Sequence, residues 1–298
     1  MVGSMKVLIG VCAYNEENNI GNLLQNLITK QDLPKASKFL VVCSGCTDKT
    51  PEIVKNFKKV DERIELIIEK DRMGKAHALN KLFAIARGST DVLVLTNADA
   101  LPSHRSIMKL LSKLVKSNAG AAFAQPVPLN DFNGLSDRIV HVIWRLHHVI
   151  SLLQNPKLSG ELCAIYAHYL QDIPENVATD EPYIELAIRK HGFDILYVPE
   201  AMVYIRCPNN IVDLLKHRKR IWIGHLQIQS TTGFKVSTSS FMNIIRSFSA
   251  LKPHEIFYAV LGGFLEFVAY SAARFDFSKN VVPYVWEPIK STKASMST

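Results

Sequence analysis

Asp99 closes an apolar run, Asp91-Val-Leu-Val-Leu-Thr-Asn-Ala-Asp99, and Arg72, Gly74 and Lys75 lie shortly before that run. A carboxylate left at the carboxyl end of a buried strand stands where open α/β sheets bind their ligands. A hard oxygen donor with two cations close in sequence suits a diphosphate bound through Mg2+ or Mn2+. The plainer alternatives are a capping role for Asp99 ahead of a helix near Ser103 and a surface position for Arg72. A second group of acids, Asp180 and Glu181, opens a segment of helical spacing that stops at Gly192, where both could simply cap the helix start.

These groups need a scaffold, and the hydrophobic pattern supplies one. Lys6 to Ala13 is a nearly continuous apolar run, as expected for a strand covered on both faces, and Tyr14-Asn-Glu-Glu17 ends it. Ile20, Leu23, Leu24, Leu27 and Ile28 follow at helical spacing. Strands are expected at Phe39–Cys43, Ile64–Ile68, Asp91–Thr96 and Gly120–Val127, with helices from Thr50-Pro51 and over Ala76–Ala86 between them. Such alternation predicts an α/β fold with a mostly parallel sheet and helices on both faces. Later come a long amphipathic helix over Leu135–Leu153 and a helix over Asp180–His191. Short strands at Phe193–Val198 and Met202–Ile205 flank Pro199-Glu-Ala, and a helix over Ile211–Ile228 follows.

The 298 residues carry a net charge of +8, distributed unevenly. Between Arg206 and Lys252 there are eight Lys or Arg against one acid, Asp213, which predicts an anionic partner for that segment. Five cysteines without framework spacing fit a reducing compartment, and Cys43-Ser-Gly-Cys46 reads as a turn more than as a metal or redox pair. No cleavable leader is recognised, so the chain is expected in the cytoplasm. His141, His147 and His148 share a helix but lack acidic companions, and packing is their expected role. Ile256–Ala273 is apolar but broken by Glu266 and Gly262-Gly263 and flanked by Lys252 and Arg274. That pattern favours a helix packed on the domain or lying at a membrane surface over a spanning one. The polar end from Ser291 is expected to fray.

Six landmarks, spread over roughly residues 5–225, together resemble family-2 glycosyltransferases of the GT-A, nucleotide-diphospho-sugar transferase type. They are Val11-Cys-Ala-Tyr-Asn-Glu-Glu17, Val41-Val-Cys-Ser-Gly-Cys-Thr-Asp-Lys-Thr50, Arg72-Met-Gly-Lys-Ala-His-Ala-Leu-Asn80, Asn97-Ala-Asp99, Thr179-Asp-Glu181, and His217-Arg-Lys-Arg220 with Trp222. The resemblance implies an inverting transferase that moves a sugar from a nucleoside diphosphate sugar to the hydroxyl of a glycan or lipid-linked acceptor. It implies a metal at Asp99 and Asn97, with Glu181, or else Asp180, as catalytic base. Ala13, Tyr14, Asn15, Glu16, Ser44, Arg72, Gly74, Lys75, Asn97 and Ala98 are then expected around the donor. Arg218 and Arg220 would lie over the diphosphate, Gly160 and Glu161 would open the acceptor side, and Trp222 would offer an acceptor platform.

The departures carry weight as well. Cys43 stands where the family has an acid, and Asn97 replaces the first acid of the metal motif, which predicts weakened metal affinity. The competing readings are a nucleotidyltransferase, which usually begins with a Gly-rich basic loop absent here, and a catalytically inert sugar-nucleotide or membrane-binding module. No nucleic-acid partner is expected. A transferase domain over 1–232 and a helical extension over 233–298, possible membrane surface contact included, complete the expectation.

Overall fold

The computed structural model describes residues 2–152, 156–236 and 241–294. The expected helix end at Leu153 and the tail residues 295–298 lie outside the described residues.

Eight strands form one sheet: β1 (Val7–Ala13), β2 (Lys38–Ser44), β3 (Ile64–Glu69), β4 (Val92–Asn97), β5 (Ala100–Pro102), β6 (Ala119–Pro128), β7 (Leu162–Tyr166) and β8 (Asp194–Ile205). The helices are α1 (Ile20–Thr29), α2 (Thr50–Val60), α3 (Lys75–Ser89), α4 (Ser106–Val115), α5 (Leu135–Leu152), α6 (Glu181–Lys190), α7 (Ile211–Thr232), α8 (Phe241–Ser247) and α9 (Pro253–Ser278). The apolar run of β1 is explained by alternation: Val7, Ile9 and Val11 enter one core cluster, while Leu8 enters the other.

Strand order is β3-β2-β1-β4-β7-β6-β8-β5. From β1 the chain first builds outward through β2 and β3, then returns to lay β4 on the other side of β1. All three pairings are parallel. This reversal opens a crevice at the carboxyl ends of β1 and β4, where Cys12 and Asn97 are register neighbours.

The second half of the sheet is mixed rather than parallel. β7 runs antiparallel to both β4 and β6, and β5 runs antiparallel to β8. The two strands expected around Pro199-Glu-Ala are one strand, β8. The register with β6 shifts between Ala124, opposite Val198, and Gln125, opposite Met202, so the proline segment is absorbed as a bulge.

Helix α9 packs against α5 and α7. Tyr258, Leu261 and Leu265 face the core. Glu266 accepts a hydrogen bond from Trp222 Nε1 at 2.8 Å and pairs with Arg218. Beyond α9 the chain returns across the carboxyl ends of the strands. The fraying expected from Ser291 gives way, through residue 294, to definite contacts: Ser291 donates to Asp213 at 2.6 Å, and Lys293 donates to the Tyr14 carbonyl at 3.1 Å and pairs with Glu16.

Candidate active site

The crevice beyond β1 and β4 is an open cleft of about 280 Å³. Loops after parallel strands supply its walls. Ala13 ends β1 and Tyr14 and Glu16 follow it, Ser44 ends β2, Arg72 and Gly74 lead into α3, which Lys75 begins, and Asn97 ends β4 with Ala98 and Asp99 after it. The Arg72 guanidinium lies 3.7 Å from the centre of the Tyr14 ring, and it donates to the carbonyl of Trp286 in the returning C-terminal segment. Burial, then the charge of Asp99, pushes both Glu16 and Glu161 up to about 7, against the pull of Lys293 on the first and Lys75 on the second.

A second cavity of about 170 Å³ adjoins the cleft, and Lys75, Asn97, Glu161, His217, Arg220 and Trp286 line both. Asp180 and Glu181 stand in this second cavity at the start of α6. Lys75 Nζ lies 3.2 Å from Asp180 Oδ2 and 4.0 Å from Glu181 Oε1. Burial and the neighbouring Glu181 raise the Asp180 carboxyl above its usual range. Burial acts on Glu181 too, but Lys75 and Lys157 outweigh it and hold that carboxyl low. The pair is therefore split, with Glu181 the more readily ionised member.

Two glycines fix this arrangement by close approach. A Cβ at Gly160 would stand 2.6 Å from Glu181 Oε1, and a Cβ at Gly224 on α7 would overlap the Thr179 hydroxyl. Gly160 thus leaves room for the acid, and Gly224 lets α7 dock directly on the residue preceding Asp180.

Most of the expected residues converge, and three do not. Asn15 is absent from the cleft wall; its amide braces the neighbouring loop, with Thr47 N donating to Oδ1 at 2.8 Å and Nδ2 donating to Thr47 Oγ1 at 3.1 Å. Trp222 stands apart from the cleft: its indole donates to Glu266, packs with Ala178, Ile223 and Ala273, and lines a separate cavity between α7 and α9. Arg218 reaches the second cavity but its guanidinium is committed to Glu266 rather than poised over the cleft. Cys43 is a buried core residue, and all five cysteines are free thiols. Sequence reasoning passed over Lys157, Trp286 and Lys293 as site residues. His217 lines both cavities; burial, then Arg220 and Arg218, keep it well below its usual pKa and therefore neutral.

A divalent cation fits the donor set on specific terms. Among the described residues no three His, Cys, Asp or Glu side chains gather to cage a cation unaided. Asp99 and the Asn97 carbonyl oxygen remain as hard donors, and Mg2+ commonly takes one or two protein oxygens with water and phosphate completing the shell. The negative field of Asp99 on Glu16 and Glu161 is what such a cation would relieve.

Comparison with known proteins sharpens this picture. The model of glycosyl transferase family 2 matches residues 8–170. The chain is 31% identical to glycosyltransferase AglD of Haloferax volcanii over 40% of its length and 19% of that protein. It is 22% identical to the poly-beta-1,6-N-acetyl-D-glucosamine synthase of Staphylococcus epidermidis over 70% of its length and 52% of that protein. The chain thus spans only a fifth to a half of the length of these curated relatives. Among solved structures, mannosyltransferase PcManGT from Pyrobaculum calidifontis, in complex with GDP-Man and Mn2+, superposes with a TM-score of 0.64 at 21% identity, over 96% of this chain and 82% of that one. S. aureus TarS 1-349 with UDP-GlcNAc gives 0.53 at 15% identity, over 93% and 92%. Both likenesses establish a shared fold, the GT-A fold of glycosyltransferases.

Proposed function

The chain belongs to glycosyl transferase family 2, and from that premise we propose that it transfers a sugar from a nucleoside diphosphate sugar to an acceptor hydroxyl, with inversion at the anomeric carbon. One observation carries the proposal. Asp99 and Arg220 line the cleft, Glu181 and Arg220 line the adjoining cavity, and Lys75 joins the two. The solved relatives hold GDP-Man and UDP-GlcNAc, which suggests the donor class.

In this reading Tyr14, Glu16 and Ser44 receive the nucleoside, and Arg72 and Lys75 face the diphosphate, with Arg220 standing between the cleft and the adjoining cavity. Asp99 and Asn97 would hold Mg2+ or Mn2+, which neutralises charge building on the leaving group. Glu181 takes the proton of the acceptor hydroxyl as its oxygen attacks the anomeric carbon opposite the departing diphosphate. Asp180 shares Lys75 with it and orients that cation. A single displacement inverts the centre. Turnover of labelled nucleoside diphosphate sugars with and without Mn2+ tests the reading; tight binding with no turnover of any donor would favour an inert binding module instead.

A second feature favours work beside a membrane. Phe257, Val260, Phe264 and Phe267 repeat along one face of α9 and are each 60% to 66% exposed. The helix is 26 residues long with mean hydropathy 1.6 over its best window, 22% of it buried. Glu266 ties the opposite face to Arg218 and Trp222, which supports a helix lying on the cytoplasmic membrane surface over a spanning one. A lipid-linked acceptor suits that placement, with residues 1–232 as the transferase domain and α9 as its surface-seeking element, while Trp286 and Lys293 beyond it return to the cleft.

A further inference from the structure

The cavity beside Glu181 holds two cations with no ion-pair partner among the described residues, and histidines that burial keeps neutral. Lys157, His147, Arg218, Arg220 and His225 all line it. Arg218 is committed to Glu266, and Lys75 to Asp180 and Glu181. Glu161, the remaining carboxylate of the lining, accepts from Asn97. Among the described residues neither Lys157 nor Arg220 has a carboxylate within ion-pair distance, although Glu181 lies within electrostatic reach of both.

The polar atoms tell the same story. Lys157 Nζ lies 3.3 Å from His225 Nε2. Burial lowers the Lys157 ammonium from its usual pKa range, with Glu181 pulling the other way; while that ammonium keeps its charge it can only donate there, which puts the imidazole proton on Nδ1. Among the described residues that N–H is buried without an acceptor, and so is Nε of Arg220. Burial, then Lys157 and Arg218, keep His225 well below its usual pKa, so the neutral form with one orphaned donor is the resting state. Cations and donors buried without acceptors are costly. Their gathering from the segment before β7 and from α7 into one space implies a ligand that supplies the missing oxygens.

We propose that this cavity binds a phosphoryl group carried by the acceptor, held by Lys157 Nζ, the Arg220 guanidinium and the Nδ1–H of His225. A phosphoryl group offers several oxygens to donors arriving from separate elements, and its negative charge suits two cations that have no carboxylate within ion-pair distance among the described residues. A neutral sugar would leave both cations unpaired. The donor's own diphosphate belongs across Lys75, in the cleft with Asp99 and Arg72. The phosphoryl group is a recognition handle beside the reacting hydroxyl, and no bond to it forms or breaks. The word acceptor rests on the transfer reading above; the binding site itself does not.

The test is calorimetric titration of phenyl phosphate into the full chain already saturated with a nucleoside diphosphate and Mn2+. One site is expected in the unaltered protein, weakened at least tenfold in K157M and in H225F, and kept in K157R and in K216M, which alters an exposed lysine on α7. Circular dichroism verifies that each variant is folded. Loss of phenyl phosphate binding once the nucleotide is present would assign the cations to the donor and overturn the proposal, as would K157M binding as tightly as the unaltered chain. Titration with glycerol 3-phosphate and with vesicles containing phosphatidic acid then separates sources: binding of either supports the site, and vesicles alone would identify a lipid phosphate. Failure to turn over any nucleotide sugar would end the transfer reading and leave this binding result standing.

Discussion

Asn97 donates its side-chain amide to Glu161 Oε2 at 2.7 Å, across the end of the β4–β7 pair. The contact settles which end of the amide is engaged: the nitrogen is spent on Glu161, and the carbonyl oxygen is left available to a cation beside Asp99. In the proposed metal-assisted reading, Glu161 supplies beside Asp99 the carboxylate that Asn97 does not. We expect E161Q to weaken Mn2+ binding, followed by electron paramagnetic resonance with a nucleoside diphosphate present, by about ten- to a hundredfold. Moving the charge with N97D and E161Q together should recover most of that loss. Unchanged Mn2+ affinity in E161Q would refute the role.

Gly224 and Gly263 make a matched pair for testing close packing. A methyl at Gly224 collides with the Thr179 hydroxyl, whereas one at Gly263 meets nothing within 4 Å. G224A is expected to lose about 1–3 kcal/mol of stability and much of its activity, because the displaced loop carries Asp180. G263A should gain about 0.5–1 kcal/mol, since alanine is favoured over glycine within a helix. Thermal unfolding measured for both variants decides the matter, and equal midpoints would contradict it.

Lys75 controls the ionisation of the acid pair. It helps to hold the folded-state pKa of Glu181 below the ordinary glutamate range. Glu181 therefore contributes stability that is present above that range and lost as the pH falls through its depressed value. K75M should move the acid limb of the kcat/KM profile upward by about one unit or more, with a fall in stability at neutral pH. A limb that stays in place would show that Lys75 does not set the ionisation of Glu181.

Helix α9 offers a physical separation of surface binding from catalysis. F264E and F267E place charges on its exposed apolar face, at positions that do not line the cleft. Each is expected to reduce co-sedimentation with anionic vesicles by about tenfold or more, from the transfer free energy of one phenyl side chain. Turnover of a soluble donor should be unaffected. Vesicle binding that persists in the double variant would remove α9 from the membrane reading.

Much of this site was legible before folding because its residues sit at strand ends within periodic segments. Tyr14 after β1, Ser44 at the end of β2 and Asp99 after β4 inherit their positions from apolar runs that a parallel sheet must bury. What escaped had no local signature. Lys157 and Lys293 are single lysines in irregular segments, and only the tertiary fold brings one beside His225 and the other onto Glu16. Strand β7 escaped because Leu162–Tyr166 is too short for periodicity to speak, although it makes the sheet mixed. Pro199 argued for a break in β8, and the bulge opposite Gln125 accommodates it instead. Trp222 misled for a related reason: its place in a motif suggested the cleft, and its packing against α9 decided otherwise.

The most direct test compares donor binding and sugar transfer in E181Q and D180N against the unaltered chain, with Mn2+ and with labelled GDP-mannose and UDP-GlcNAc as donors. The account predicts that whichever donor binds will bind nearly as well to E181Q, while transfer falls by about a hundredfold or more, with a smaller loss in D180N. Full transfer activity in both variants would contradict it.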